Sequence, residues 1–360
     1  MKKKSTKNNK GRTSTRRQEW IVLGVILLLA FSLRLVFFLQ LNSSSIADMV
    51  IEDSKTYHDW AVRIGGGRWI SDEVFYALPL YPYFLGTIYT IFGVSLTTAR
   101  FIQILMGTAN CFLIYLLGKR LFNGFTGLVA ALAMAVYGWL IVYDAAILSP
   151  VLIIFLIASL LLLFLRLDRK NSGPAAWLGG GLYAGITAAA SAHILPFILL
   201  VPAWKHLSAK WRKKRSGWAS TLTFLAGVIL ALAPITIHNY SAGDDFVPLT
   251  AHGGINFFIG NNPHARGVFE PPPILRSGGR TLRRDSVKLA EKDRGRKLKP
   301  SEVSAYWFGK GFDFIRENPL DFIVLLGDKF TIFWDNLEIA DVIHPSFFKE
   351  FTPVLNLYFL

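Results

Sequence analysis

The sequence predicts an all-α polytopic membrane protein, with about seven transmembrane helices and a juxtamembrane region on the outer face. Three observations predict it. The 360 residues are 52% hydrophobic and their mean hydropathy is +0.39, an apolar share that soluble domains reach only with glycine counted in. The apolar residues gather in runs long enough to cross a bilayer. The net charge of +15 sits in segments that flank those runs, where the positive-inside rule puts cytoplasmic ends. That placement assigns the charge to the membrane and argues against a nucleic-acid partner.

Residues 1–19 form a basic tail; its first 17 residues hold eight Lys/Arg and no acid. The run 20–41 follows, with Arg34 as its one firm charge. At ~1.5 Å per residue it reaches roughly 33 Å, enough for a hydrocarbon core of ~30 Å. It is longer than the apolar core of a cleaved signal, so it reads as a retained anchor. With the N-terminus in the cytoplasm, 42–96 lie outside. The spans 97–117, 124–143 and 149–165 then alternate, landing Lys119, Arg120, Arg166, Arg169 and Lys170 inside. Cys111, the single cysteine, falls within a span and has no intrachain disulfide partner. The stretch 177–204 starts with small residues, which allow close helix approach in a bilayer, and continues with Pro196 and Pro202. It reads as two short spans turning near Ser191, Ala192 and His193. Residues 205–215, with six Lys/Arg and no acid, return inside. Span 218–237 closes a transmembrane domain over 20–237.

Residues 238–360 read as an outer region. Segment 238–275, rich in Asn, Gly and Pro, is expected to be loop with short strands. Segment 301–318 has Val303, Tyr306, Trp307 and Phe314 on one helical face and stops before Pro319. Segment 320–334 reads as a membrane-lying amphipathic helix. The sequence ends at Leu360 inside an apolar stretch, and C-terminal truncation is expected.

The first outer loop, 42–96, carries the densest cluster of polar chemistry. Glu52, Asp53, Lys55, Tyr57, His58 and Asp59 fall within eight residues. From Ser54 onward Tyr57, Trp60, Ala61 and Ile64 recur at helical spacing. Asp53 then stands at a helix N-terminus, where the dipole favours a carboxylate, as a cap or a positioned acid. The aromatic, proline-broken stretch 75–93 reads as a half-embedded segment lining a groove. Arg34 either snorkels outward or braces an outer site beside an acid or a phosphate. Asp144 lies in the second outer turn, as a turn residue or an acid on the same side as Asp53. His193 stands at the outer end of the split span. His252 opens a stretch with Asn256, Asn261 and Asn262 whose many backbone amides suit sugar hydroxyls or phosphate oxygens, or form plain turns. No metal or phosphate-loop motif is present, so no cofactor is implied; a divalent metal stays open.

The order of these pieces resembles the GT-C membrane glycosyltransferases. It is closest to the bacterial family 39-like proteins of the PMT-2 type, in the branch with protein O-mannosyltransferases and lipid A aminoarabinose transferases. The matching pieces are the basic tail and span with Arg34, then Asp53-Ser54-x-x-Tyr57, then PLYPYFLGTIYTIFG, TTARFIQILMGTANCFLIYLLGKRLF, VYDAAILSP, GGINFFIGNNP and KPSEVSAYWFGKGFDFIRENP. The resemblance implies a GT-C-like fold. It implies a transferase that takes sugar from a polyprenyl-phosphate donor and hands it to an acceptor at the outer face of a bacterial-type plasma membrane. Asp53 stands at the place of the catalytic acid, with Glu52 beside it, and Asp144 where a second outer acid often lies. Arg34, Lys55, Arg63, His193 and Arg266 are the candidate contacts of the leaving phosphate, and Ala192-His193 replaces an Arg-Pro pair common in the family. A transporter or lipid flippase, which would carry charges near mid-membrane, and a non-catalytic scaffold are the alternatives.

Overall fold

The computed structural model describes residues 5–170, 172–211, 218–335 and 345–357. Helix α1 (Ser5–Asn42) leads to α2 (Glu52–Gly65) and α3 (Leu80–Phe92). A bundle follows: α4 (Leu96–Leu121), α5 (Gly124–Val136), α6 (Gly138–Ala145), α7 (Pro150–Lys170), α8 (Pro174–Ala190), α9 (Leu195–Trp211) and α10 (Trp218–Gly243). Then come α11 (Gly253–Gly260), α12 (Gly279–Arg294), α13 (Pro300–Glu317), α14 (Pro319–Trp334) and the short α15 (Pro345–Lys349). No strand occurs among the described residues, so the short strands expected in 238–275 are replaced by the end of α10, irregular chain and α11.

The span boundaries follow local chemistry. The Ser95 side chain accepts from the Thr98 amide and opens α4. Asn123 does the same for Thr126 and opens α5; both satisfy an amide that a helix start leaves orphaned. Four helices are long and apolar enough to cross a bilayer: Arg17–Asn42 of α1, α4, Pro150–Asp168 of α7, and α10. The pair α5 and α6, bent by 61°, makes a fifth. The expected seven therefore divide differently. The split at Ser191 is present, as a 3-10 turn at Ala192–Ile194. Each half, α8 and α9, has 17 residues, so it reaches only ~25 Å.

The third span breaks where the sequence reading has it continuous, because Tyr137 adopts extended backbone between α5 and α6. Arg34 explains the break. Its Nη1 donates to the carbonyl of Ala135, 3.3 Å away, which the end of α5 would otherwise leave unpaired. Its Nε donates to Asp144 Oδ2 at 2.6 Å. Bending α6 inward brings Asp144 to that guanidinium. Opposite, Gly107 of α4 leaves the room: a Cβ there would lie 2.1 Å from Asp144 Oδ2.

Helices α8 and α10 meet backbone to backbone. A Cβ on Gly181 would lie 2.0 Å from the Phe224 carbonyl oxygen, and one on Gly227 2.3 Å from that of Leu178. Beyond the bundle, Ile255, Phe258 and Ile259 of α11 pack with Leu282 and Ala290 of α12 and with Val303 and Trp307 of α13. The apolar face expected for 301–318 is thus the face buried in α13. Most large apolar side chains of α14 are exposed, among them Leu320, Phe330 and Phe333.

The bundle has two distinct ends. At one, Lys119 pairs with Glu19, Arg120 Nη2 donates to the Leu165 carbonyl and Lys205 lies over the Trp177 ring. At the other, Arg100 Nη1 donates to Asn42 Oδ1, and Gln103 Nε2 donates to the carbonyls of Asp144 and Ala146. Lys119, Arg120 and Lys205 thus share the first end; α2, α3 and α12 gather at the second, and residues 212–217 of the basic loop expected over 205–215 lie outside the described residues.

Candidate active site

Helix α2 lies on α3, burying Trp60, Ala61 and Ile64 as the helical spacing predicts. Gly86 makes the approach close: a Cβ there would lie 2.6 Å from Ile64 Cβ. The cap position of α2 is Ile51, which makes no side-chain cap bond. Asp53 is therefore the second residue of the helix and not its cap. Glu52 opens α2 with φ +47°, a left-handed conformation that costs a non-glycine residue of order 1 kcal/mol.

A second helix points its start at the same acids. The Gly279 amide at the head of α12 donates to Glu52 Oε2 at 3.4 Å. A Cβ on Gly279 would lie 3.8 Å from Asp53 Oδ1. Two helix N-termini thus converge on Glu52 and Asp53, and both favour negative charge there. The next turn of α12 holds the pair in place. Arg280 Nη2 binds Asp59 Oδ2 at 2.8 Å. Arg283 binds Glu73 at 3.1 Å and lies 5.0 Å above the Tyr76 ring centroid.

Tyr76 ties the acids to the rest of the site. Burial, with Asp53 adding and Arg283 opposing, pushes its phenol up to about 12, so it is a neutral donor at ordinary pH. Its carbonyl receives a hydrogen bond from His252 Nδ1. A carbonyl only accepts, so the proton is on Nδ1 and Nε2 is the ring's acceptor. Burial, with nearby His193 in the same direction and the Tyr76 bond opposing, holds His252 below its ordinary range. Burial likewise lowers His58, which meets Tyr89 Oη at 2.9 Å. Buried Asn239 of α10 supports the loop. It accepts from the Phe75 amide at 2.9 Å and donates to the carbonyls of Val247 and Leu249.

The structure brings Glu52, Asp53, Tyr76, His252 and His193 into one neighbourhood and distributes the other sequence candidates around it. Lys55 is exposed one turn along α2, and Tyr57 packs edge-on against Tyr81 with ring centroids 5.1 Å apart. Arg63 lies ten positions beyond Asp53, about 15 Å along the helix axis. Arg266 is exposed in the loop after α11. Arg34 neither snorkels nor reaches the loop; it is fully buried against Asp144. Asp144 is not a turn residue but sits inside α6 at 2% exposure. The stretch 252–263 is not an amide-rich loop. Its backbone is spent on α11, where Asn256 is exposed. Asn261 and Asn262 turn their Nδ2 groups back to the carbonyls of Phe257 and Phe258. Among the described residues no group of three His, Cys, Asp or Glu gathers as for a metal ion.

Residues 77–238 match the family described as dolichyl-phosphate-mannose-protein mannosyltransferase. This segment is similar to that transferase family over just under half of the chain. It runs from just after Tyr76 through most of α10, and so covers the transmembrane bundle from α3 onward. No curated protein matches the chain. The acids of α2 and the arginines of α12 flank the matched transferase segment on either side, and the fold closes them over it. Tyr76, Arg280, Arg283 and Asn239 were not singled out from sequence. A tyrosine in an aromatic run and arginines in a basic stretch carry no local mark of a site.

Proposed function

We propose that the protein moves a sugar from a polyprenyl-phosphate donor to a hydroxyl acceptor at the outer face of a bacterial-type plasma membrane, its N-terminus in the cytoplasm, with Asp53 as general base. The similarity of residues 77–238 to the mannosyltransferase family supports the reaction class, a lipid-linked sugar and the membrane setting. The observation that carries the assignment to Asp53 is the convergence of α2 and α12 on Glu52 and Asp53, with Arg280 and Arg283 beside them.

The acceptor oxygen bonds to the anomeric carbon as the bond from that carbon to the phosphate oxygen breaks. The hydroxyl proton passes to Asp53, and the bonding pair leaves on the lipid phosphate. The transition state is oxocarbenium-like, so a carboxylate nearby stabilises it as well. Tyr76 and His252 offer neutral polar groups for sugar hydroxyls, and the arginines of α12 offset charge on the departing phosphate. The apolar flank of α3, where Ile91 and Phe92 are exposed, offers a path for the lipid tail.

The test is transfer from a polyprenyl-phosphate sugar by the protein in reconstituted membranes. Asp53→Asn should lower kcat by ~10²–10⁴, the usual contribution of a general base, with the protein folded and donor binding retained. Full turnover in that variant would overturn the assignment of the base.

A further inference from the structure

Helix α12 carries Arg280, Arg284, Lys288 and Lys292 at successive i, i+4 positions, all exposed. Neighbours at that spacing face one another, and like charges there destabilise a helix. The helix's own acids relieve them only at Arg284, whose Nε lies 3.9 Å from Asp285 Oδ1; Lys288 and Lys292 gain no such partner from the helix's acids. Asp285 is held by Arg276 at 2.7 and 2.8 Å, Glu291 by Lys297, and Asp293 by Tyr306 and Lys310. The ridge cannot turn inward either. Leu282 and Ala290 are packed under α12, and the Ser286 carbonyl accepts from Trp307 Nε1 at 3.1 Å. The result is a line of positive charge about 18 Å long, whose first member, Arg280, already grips Asp59 beside the α2 acids.

A single phosphate does not need such a line. A chain with regularly spaced negative groups does, and a ridge that runs up to Glu52 and Asp53 would guide its end to the site. We propose that this ridge is the docking track of the acceptor, and that the acceptor is a polyanionic chain bearing repeated phosphate or carboxylate groups and a free hydroxyl. The inference rests on the transferase reading above, and gives that site its second substrate class. Electrostatic guidance of this kind raises association rate and is sensitive to salt.

The test uses the full chain in zwitterionic phosphatidylcholine nanodiscs, with all eight Lys/Arg of residues 1–17 changed to Gln throughout so that the tail does not compete. The probe is short-chain linear inorganic polyphosphate. The triple variant Arg284→Gln, Lys288→Gln, Lys292→Gln should bind it at least ~tenfold more weakly at low salt. The difference should vanish near 1 M salt, where screening acts within ~3 Å. These side chains are exposed and repel one another, so the unfolding temperature should not fall in the triple variant, and Arg284→Lys should keep the affinity. Unchanged polyphosphate affinity in the triple variant overturns the proposal. So does unchanged polyphosphate affinity together with weakened association with phosphatidylglycerol vesicles, which would make the partner a bilayer surface. The measurement needs no sugar donor. Ridge-dependent binding without transfer would count against the transferase reading alone.

Discussion

Replacing Asp144 with Asn separates two roles open to it, structural partner or second acid. Asp144 is 2% exposed and Arg34 is fully buried, with 2.6 Å between Nε and Oδ2. At that contact the charge centres are about 4 Å apart, worth about 4 kcal/mol at an effective dielectric constant of ~20. Asparagine leaves the guanidinium buried without a counter-charge, so Asp144→Asn should destabilise the fold by ~3–5 kcal/mol, as breaking buried pairs does. The double variant Arg34→Met, Asp144→Leu removes both charges and should recover most of that loss. The assay is chemical unfolding in mixed micelles, run on Asp144→Asn and also on Arg34→Met, Asp144→Leu and their double variant, so that the coupling is read from a closed cycle. Transfer activity is measured on whatever fraction stays folded. The reasoning fails if Asp144→Asn costs less than ~1 kcal/mol yet abolishes transfer, because Asp144 would then act on substrate and not on Arg34.

Further outcomes follow from the same geometry. Gly107→Ala places a Cβ 2.1 Å from Asp144 Oδ2 and should cost ~1–3 kcal/mol of overpacking in the same unfolding assay. Combining it with Arg34→Met, Asp144→Leu should give less than the sum. Asn239→Ala orphans the Phe75 amide and two carbonyls, a cost of ~1–3 kcal/mol, and limited proteolysis should cut the first loop faster. His252 is held below its ordinary value of 6.5. As pH falls through that value the unfolded chain takes up a proton that the folded chain refuses. Stability should therefore drop on going from about pH 7 to about pH 5, and drop less in His252→Gln. An equal drop in both would remove His252 from the account.

The bundle was legible because its signals are local. Apolar runs fix where helices can lie, and the expected span starts at 97 and 124 fall within a residue of the starts of α4 and α5. The small residues of α8 followed by Pro196 mark the split at Ser191. The face of α2 was legible for the same reason, since Trp60, Ala61 and Ile64 recur at helical spacing. What failed depended on partners distant in sequence. The bend at Tyr137 is set by Arg34, and Asp144 lies 110 residues from the arginine that buries it. Helix α11 was hidden differently. The glycines and asparagines of 252–263 read as turns, although Ile255, Phe258 and Ile259 already stood at i, i+3 and i+4. Helix α12 lies in 276–299, a stretch of ten Lys/Arg and three acids that reads as charge and not as structure. Its role beside Asp53 comes from docking across more than two hundred residues.

The seam between α8 and α10 also says something about inheritance. Every missense change at Gly181 or Gly227 adds a Cβ, and at both positions that atom would collide with backbone of the facing helix. A neighbouring side chain can swing aside, but a carbonyl in a transmembrane helix cannot move without breaking its own hydrogen bonds. In a library of single-codon changes, these two positions should therefore be nearly blank. Leu222, Ile229 and Leu230, exposed along the same α10, should accept almost any apolar residue. The boundary between intolerant and permissive codons would trace the helix–helix contact directly, with no measurement of catalysis at all.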